Sequence, residues 1–323
     1  MRGALSAGRG IFLLAAFVVV VLLHLVPLPS GSALGRAAQD AAHAPLFGVF
    51  AIVVLLWFCT VSPWAAGSRL RLYAAALAAA ALTSVAAELA QSRASRDADL
   101  WDVVRSVLGA GGALLAAMAF DTGLPRLSSR SVRAVLLCAA AISMLAPAVP
   151  ALGLAVAARQ RRAAFPRLCD FESSWERRFL VTQDAELRLT VCPRDWAGSA
   201  LGRVAQVTFH PANYPGIILR GPFPDWTGYD RLAFEVYSGM DSAVDLELRI
   251  HDVGHDESFT DRFNRTLRIA PGANRVAIAL AEVRAAPAGR SLDMGHIAAL
   301  VLFVDHLKKP CTLYLDAFRL ERD

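Results

Sequence analysis

The chain of 323 residues is 55% hydrophobic and only 19% charged, and its mean hydropathy is +0.43. This composition excludes a disordered protein and is too apolar for an ordinary soluble enzyme. The net charge of +5 is uneven, because residues 1–163 carry 14 Arg against 6 acidic residues while residues 164–323 are net acidic. The basic charges therefore flank apolar segments, and no nucleic-acid partner is expected.

Five apolar stretches in the first half predict five transmembrane helices, since a spanning helix needs about 20 mostly apolar residues. They cover residues 11–27, 45–63, 72–90, 100–120 and 132–157. The first stretch also fits a signal peptide, because Arg2 and Arg9 precede it, but four further spans favour a retained helix.

The distribution of arginine over the short loops predicts the orientation of these helices. With the N-terminus inside, the cytoplasmic loops hold Arg2, Arg9, Arg69, Arg71, Arg126, Arg130 and Arg133, and the outer loops hold only Arg36, Arg93 and Arg96. We therefore expect the C-terminal half to be extracytoplasmic. The opposite placement is favoured by three arginines that directly follow the fifth span, Arg159, Arg161 and Arg162.

Polar residues collect at one end of the predicted helices. His43 opens the second span, Glu88 and Gln91 close the third span three residues apart, and Asp102 lies in the first turn of the fourth. Ionisable groups at membrane depth usually face the interior of a helix bundle or a water-filled cavity. We expect a membrane pocket formed by His43, Glu88, Gln91, Arg96 and Asp102, with interfacial charges at the end of a helical hairpin as the alternative.

The segment AELAQSRASRDADLWDVVRSVLGAGGALLA, preceded by His43, resembles the VanZ-like membrane family over about residues 10–157. Glu88, Gln91, Arg96, Asp102 and Gly109 match the polar and glycine positions of that family, whereas its Asn is Ser106 here. The resemblance implies a multi-pass protein of the bacterial inner membrane that is linked to cell-envelope biology or glycopeptide resistance.

After a basic linker at residues 161–167, the pattern changes to short alternating segments. In Val244–Ile250 the alternation of apolar and polar residues is strict, and turn signals such as Pro271-Gly272-Ala273-Asn274 separate the segments. About nine strands in residues 168–323 predict an antiparallel β-sandwich or jelly roll. The predicted fold is a multi-pass α-helical membrane domain at residues 1–160 followed by this all-β sandwich.

The sandwich resembles the galactose-binding-like jelly rolls that include many carbohydrate-binding modules. The resemblance is carried by Asp170-Phe171-Glu172, by the segment from Pro224 to Asp230 before the strand LAFEVY, and by Leu313-Tyr314-Leu315-Asp316 at the end. It implies glycan binding, for which loop aromatics and acids are the candidates: Trp175, Trp196, Tyr214, Asp252 and Asp256. It also implies a structural Ca²⁺ held by Glu172 and Asp316, as carboxylate oxygens are ligands that this ion prefers.

The sequence leaves three functions open. The first is a non-enzymatic envelope protein whose sandwich binds an extracytoplasmic glycan. The second is a membrane enzyme or transporter in which Glu88, Gln91 and Asp102 act on a lipid-linked sugar or an antibiotic-related substrate. The third is a structural protein-interaction module. Three cysteines in the sandwich, Cys169, Cys192 and Cys311, permit at most one internal disulfide, and the sequence does not choose among the three pairings.

Overall fold

The computed structural model describes residues 33–61, 68–92, 99–127, 129–193, 196, 202–221 and 223–323. The chain divides into two compact units, of which the first ends at Leu154 and the second runs Ala155–Asp323. The predicted combination of a helical first half and an antiparallel β-sandwich is confirmed. The predicted span at residues 11–27 lies outside the described residues.

The helices are α1 (Ala33–Val61), α2 (Arg69–Ser92), α3 (Leu100–Phe120), α4 (Arg130–Leu145) and α5 (Val149–Ala164). Four segments of the described chain are long and apolar enough to cross a membrane, by length and composition only. They are Leu34–Thr60, Arg69–Ala90, Leu100–Phe120 and Arg130–Ala164, the last with a 3-10 turn at Ala146–Ala148.

Helix α1 begins twelve residues earlier than the span predicted from Pro45. The preceding segment is rich in alanine, the strongest helix former, and it carries the helix through Pro45. His43 therefore lies within α1 and not at its start. The expectation that the helix begins beside Pro45 is wrong because proline is disfavoured but not excluded inside a helix that tertiary contacts hold.

Close packing of α1 against α3 depends on glycine. A Cβ atom at Gly109 would overlap the backbone of Ala44, and one at Gly48 would lie 3.2 Å from the Gly109 carbonyl oxygen. A Cβ atom at Gly111 would meet no described atom within 4 Å outside the adjacent backbone of the same helix. Phe47 and Ala110 are fully buried in the core that these helices form. Small residues therefore let the two helix backbones approach closely.

The described residues of the second unit form eleven strands. They are β1 (Arg167–Cys169), β2 (Leu180–Gln183), β3 (Ala185–Val191), β4 (Arg203–Phe209), β5 (Gly216–Arg220), β6 (Arg231–Ser238), β7 (Val244–Asp252), β8 (Phe263–Ile269), β9 (Gly272–Ala279), β10 (Ile297–Phe303) and β11 (Cys311–Glu321). A short helix, α6 (Leu280–Ala285), follows β9. All nine predicted strand segments are present, and β1 and β2 were not predicted because each has only three or four residues.

The strands form two antiparallel sheets. One has the order β3-β4-β11-β6-β9, with β1 also paired to β11, and the other has the order β2-β5-β10-β7-β8. Strand alternation assigns the faces of the second sheet, because Leu248, Ile250, Leu300 and Leu302 are at most 2% exposed and point into the core. The alternate residues point away from the core and form a surface that we call the open face.

Candidate functional site

In the first unit the structure brings His43 and Asp102 together. His43 Nε2 lies 3.7 Å from Asp102 Oδ2, and His43 Nδ1 lies 3.4 Å from the hydroxyl of the fully buried Ser106. Asp102 and Ser106 are four residues apart on α3 and so share one helix face. The imidazole therefore lies at hydrogen-bond distance from the hydroxyl and at ion-pair distance from the carboxylate, and the three side chains form a polar cluster at the end of the helix pair.

Glu88 contacts the N-terminus of α3. Its carboxylate accepts a hydrogen bond of 3.2 Å from the backbone N–H of Asp99, and the residue is only 6% exposed. Asp99 caps α3 by accepting the N–H of Trp101 at 2.9 Å. Arg105 lies among three carboxylates, those of Asp40, Asp99 and Asp102. Gln91 belongs to the last turn of α2, and Arg96 lies outside the described residues.

The open face of the sandwich has rows of side chains fixed by the strand register. One row runs Gly216, Phe303, Glu247 and Thr266, and the next runs Ile218, Val301, Arg249 and Asn264. Along β10 the face is apolar, and on β7 and β8 it carries charged and amide side chains. An apolar centre with polar groups at the margin is the usual composition of a small-molecule binding surface.

Tyr214 stands at the end of the open face where β5 begins. Its side chain is 53% exposed, its ring meets Phe303 edge to face at 5.9 Å, and the His306 ring lies 5.7 Å away. Gly216 leaves room here, since a Cβ at that position would lie 2.8 Å from the Cβ of Phe303. Tyr214 is thus held by its neighbours while much of its ring remains open to a ligand.

A second exposed aromatic ring, Phe259, lies in the loop between β7 and β8. Phe259 is 68% exposed, and the guanidinium of Arg262 lies 5.2 Å from its ring centroid. Neither Phe259 nor Phe303 was a sequence candidate. The alternation of β10 was the available signal for Phe303, because Leu302 is buried and its neighbour must face outward.

The two tryptophans predicted to stack on sugar are buried. Trp175 is 8% exposed and meets Phe179 at 6.2 Å, and Trp196 is 4% exposed and stacks on Tyr237 at 5.7 Å. Tyr237 lies on the other sheet, so Trp196 covers the outer surface of that sheet and not the open face. In this conformation both indole rings contribute to packing, and Tyr214 is the predicted aromatic residue that faces solvent.

Asp252 is a buried partner of Arg290. Its oxygens accept hydrogen bonds of 2.6 and 2.9 Å from the guanidinium and one of 2.7 Å from the Asp293 N–H. The same guanidinium binds Asp261 at the start of β8. Burial would raise the pKa of Asp252, but the hydrogen bonds from Arg290 and Asp293 outweigh it and hold the pKa low. Arg290 thereby links the end of β7, the segment before β8 and the segment before β10. We call the group of Arg290, Asp252 and Asp261 the clamp.

Asp256 lies in the loop beside this clamp. Its N–H donates to Asp261 at 3.0 Å, and its carboxylate accepts the N–H of Ser258 at 2.8 Å. His255, Asp256 and Asp261 have ligand atoms within 4.8 Å of one another. Hydrogen bonds from Arg290 hold the pKa of Asp261 well below its usual range. A guanidinium thus already supplies the positive charge that a metal ion would bring to these carboxylates.

The two carboxylates predicted to bind calcium both accept hydrogen bonds from the chain. Glu172 accepts the backbone N–H of Arg203 at 2.6 Å, and Asp316 accepts that of Ala317 at 2.7 Å. A third acid, Glu176, is 1% exposed, and burial raises its pKa to about 7. Calcium binding by Glu172 and Asp316 stays a prediction. Cys59, Cys138, Cys169 and Cys311 are free thiols.

No family model matches this chain, and no curated protein matches it. Solved structures resemble its C-terminal half. A family 11 carbohydrate-binding module from Clostridium thermocellum, in complex with a β-1,3-1,4-mixed-linked tetrasaccharide, has 15% identity and a TM-score of 0.37 over 48% of this chain and 94% of that one. A family 30 carbohydrate-binding module of a Clostridium thermocellum cellulase has 11% identity and a TM-score of 0.34, over 45% and 92%.

An exo-beta-agarase is also similar, with 16% identity and a TM-score of 0.39 over 49% of this chain. The match spans about a quarter of the agarase, 25% of its length. The solved structures that resemble the sandwich thus include carbohydrate-binding modules. None of these comparisons supports the VanZ-like resemblance of the helical half.

Proposed function

We propose that this protein is a membrane-anchored glycan-binding protein of the cell envelope. In this proposal the apolar helices of the first unit lie in the bilayer, and the open face of the sandwich binds a sugar chain. The observation that carries it is the solvent-open ring of Tyr214, held against Phe303 and His306 at the end of an apolar surface. Aromatic rings offer large, rigid contact area at low entropic cost.

The polar margin of the same face would supply the hydrogen bonds that a sugar requires. Glu247 accepts a hydrogen bond of 2.7 Å from Thr266, and Asn264 and Arg249 lie opposite each other on neighbouring strands. Side chains on paired strands are positioned by the backbone, and sites built on strands are more precise than sites on loops. Polar groups at fixed spacing beside an apolar strip therefore favour an extended hydroxyl-rich ligand.

Tyr214→Ala tests this proposal. We expect the full chain in detergent micelles to be retained by an insoluble polysaccharide, and the variant to bind at least about tenfold more weakly, as for the loss of an aromatic anchor. Arg188→Ala is the control, because Arg188 is 71% exposed on the other sheet. Equal binding by wild type and Tyr214→Ala, measured over a panel of polysaccharides, would contradict the proposed face.

Extracytoplasmic placement of the sandwich is part of the proposal. It is supported by the arginine bias of the loops and by four apolar segments in addition to residues 11–27. A reporter that is active only after export, fused after Asp323, should be active in intact cells. The control is the same reporter fused after Arg126, which this topology leaves in the cytoplasm. If only the fusion after Arg126 is active, the orientation of the helices is the opposite of the proposed one.

The VanZ-like role of the helical half and its link to glycopeptide resistance belong to the same hypothesis. A membrane enzyme or transporter is the second candidate, and the observation that favours it is the cluster of the buried His43 and Ser106 with the partly buried Asp102. A carboxylate beside an imidazole can hold and move a proton. Ser106 is fully buried, so a substrate would reach it only if α1 and α3 moved apart.

A further inference from the structure

Positive charge is concentrated at one end of the open face. Arg249 and His251 follow each other on the outward side of β7, and His251 lies opposite Ala299, which in turn lies opposite Arg220 on β5. Arg262, just before β8, donates a hydrogen bond of 2.9 Å from Nε to Asn264 Oδ1, and Asn264 lies opposite Arg249 on the paired strand. Three arginines from three parts of the chain therefore surround one end of the surface on which we place the glycan.

These cations have few counter-charges. Glu257 Oε2, 3.8 Å from Arg249 Nη2, is the only ion-pair partner of Arg249 among the described residues. Over the same part of the chain, the side chain of Arg220 has no ion pair and is exposed. Asp252 and Asp261 are already bound by Arg290.

The remaining acids of β7 also face partners of their own. Glu247 binds Thr266, and Asp245 pairs with Arg268 at the far end of the strands. The cationic end is thus not neutralised by the protein itself.

Two buried nitrogen atoms at this end lack partners. Arg249 Nε and His251 Nδ1 are buried, and neither makes a hydrogen bond in the part of the chain that the structure describes. Buried polar atoms in folded proteins are nearly always paired, and Arg249 Nε can only donate, so its unpaired N–H points to a missing acceptor.

Neighbouring groups determine the hydrogen bonds of His255 and the pKa of His251. His255 Nδ1 lies 3.0 Å from the Asp261 carbonyl oxygen and its Nε2 lies 3.3 Å from Arg249 Nη2, so Nδ1 donates and Nε2 accepts. Burial first, and then the charge of Arg249, lower the pKa of His251 to about 4. His251 is therefore neutral at pH 7, and the guanidinium groups carry positive charge at this end of the face.

We propose that this end of the open face binds an anionic oxygen group of an acidic glycan, a carboxylate or a sulfate ester, through Arg249 and Arg262. Guanidinium groups bind such anions through paired hydrogen bonds that are stronger than those between neutral groups. The exposed rings of Phe259 and Tyr214 would contact the sugar on either side. The inference rests on the proposed glycan binding and adds the chemical class of the ligand.

Glu257 would occupy the position of the ligand's anion in the free protein. It is 86% exposed, its backbone has φ of 67°, and its carboxylate lies 3.8 Å from Arg249 Nη2 and 4.0 Å from His255 Nε2. An exposed ion pair of this kind is weak, so an anionic ligand can displace it. Removing the charge of Glu257 should therefore strengthen binding of the anionic ligand.

The test uses the full chain in micelles and pairs of glycans that differ only in charge. One pair is polygalacturonate and its methyl ester, and the other is a sulfated galactan and its desulfated form. We expect the acidic member of at least one pair to bind about tenfold or more tightly than the neutral member, and the pair that responds identifies carboxylate or sulfate.

Three single substitutions test whether the anion binds at Arg249 and Arg262. Arg262→Gln should abolish the preference for the acidic member, and Glu257→Gln should increase it, a gain that misfolding cannot produce. Arg268→Gln is the matched control, since Arg268 is 74% exposed on β8 and distant from Arg249 along the strand. A preference that survives Arg262→Gln and is unchanged by Glu257→Gln would overturn the site.

Two further outcomes separate this inference from the proposed function. Equal binding of acidic and neutral members, lost in Tyr214→Ala, would overturn the inference and leave glycan binding in place. Binding of inorganic phosphate or sulfate without binding of any glycan would overturn both, because the cationic end would then hold a free anion only.

Discussion

Arg290→Ala is expected to lower the free energy of unfolding of the sandwich by about 3 kcal/mol. The change leaves the Asp252 carboxylate, 1% exposed, without its ion-pair partner, and removing one member of a buried pair costs about 3–5 kcal/mol. The lower end applies because Arg290 itself is 32% exposed. Urea unfolding of the micelle-solubilised chain, followed by tryptophan fluorescence, measures the effect.

Arg268→Ala is the control for this experiment. Arg268 pairs with Asp245 at 3.1 Å, but both side chains are more than half exposed, and such pairs contribute about 0–1 kcal/mol. A similar loss of stability in both variants would show that Arg290 is an ordinary surface charge.

The clamp also predicts a dependence on pH. The pKa values of Asp252 and Asp261 lie below their ordinary value of 3.8, so the folded state releases these protons more readily than the unfolded state. The clamp's contribution is therefore fully present above that value and is lost as the pH falls through the lower, folded values. Stability of the wild type should fall in acid below about pH 4, and more steeply than that of Arg290→Ala.

Gly109→Ala is expected to disrupt the helical unit, and Gly111→Ala is expected to leave it intact. A Cβ at position 109 would overlap backbone atoms of Ala44, and no change of rotamer relieves an overlap with backbone. The helices α1 and α3 would have to separate, which loosens the buried contacts of Phe47 and Ala110. Overpacking of this kind costs about 1–3 kcal/mol or more.

Gly111 makes this a matched comparison. The two glycines are two residues apart on one helix, and both replacements add one methyl group. Among the described residues, no atom outside the adjacent backbone of the same helix lies within 4 Å of a Cβ at position 111, and alanine is the better helix former. The fraction of monodisperse protein after graded heating in detergent is the measurement. Equal heat resistance of the two variants would contradict the close contact between α1 and α3.

The classes of structure in both halves follow from local patterns in the sequence. Long apolar runs predict the helices, since about 20 such residues span a bilayer, and α3 has the predicted limits of 100–120. Strict alternation in Val244–Ile250 predicts a strand with one buried side, and the leucines and isoleucine there are buried in β7. These patterns repeat within a few residues and therefore need no knowledge of what the chain folds against.

Local patterns do not identify what a side chain faces. Trp175 and Trp196 lie in loop-like sequence that suits a ligand-binding ring, but the fold closes over both of them, whereas Tyr214 stays open. Asp252 belongs to an acidic stretch that looks solvated, and its partner Arg290 is 38 residues away along the chain. Asp252 and Arg290 come together only when strands β7, β8 and β10 pair.

Local sequence patterns predict the two-part organisation, the positions of most helices and strands, and the collection of polar residues at the end of the helical hairpin. They do not predict that His43 lies against Asp102 and Ser106, or that Arg249, His251 and Arg262 share one end of the open face. The physical reason is that propensity and hydrophobic period act over neighbouring residues, whereas a site is made by strand register and helix packing between residues far apart in sequence.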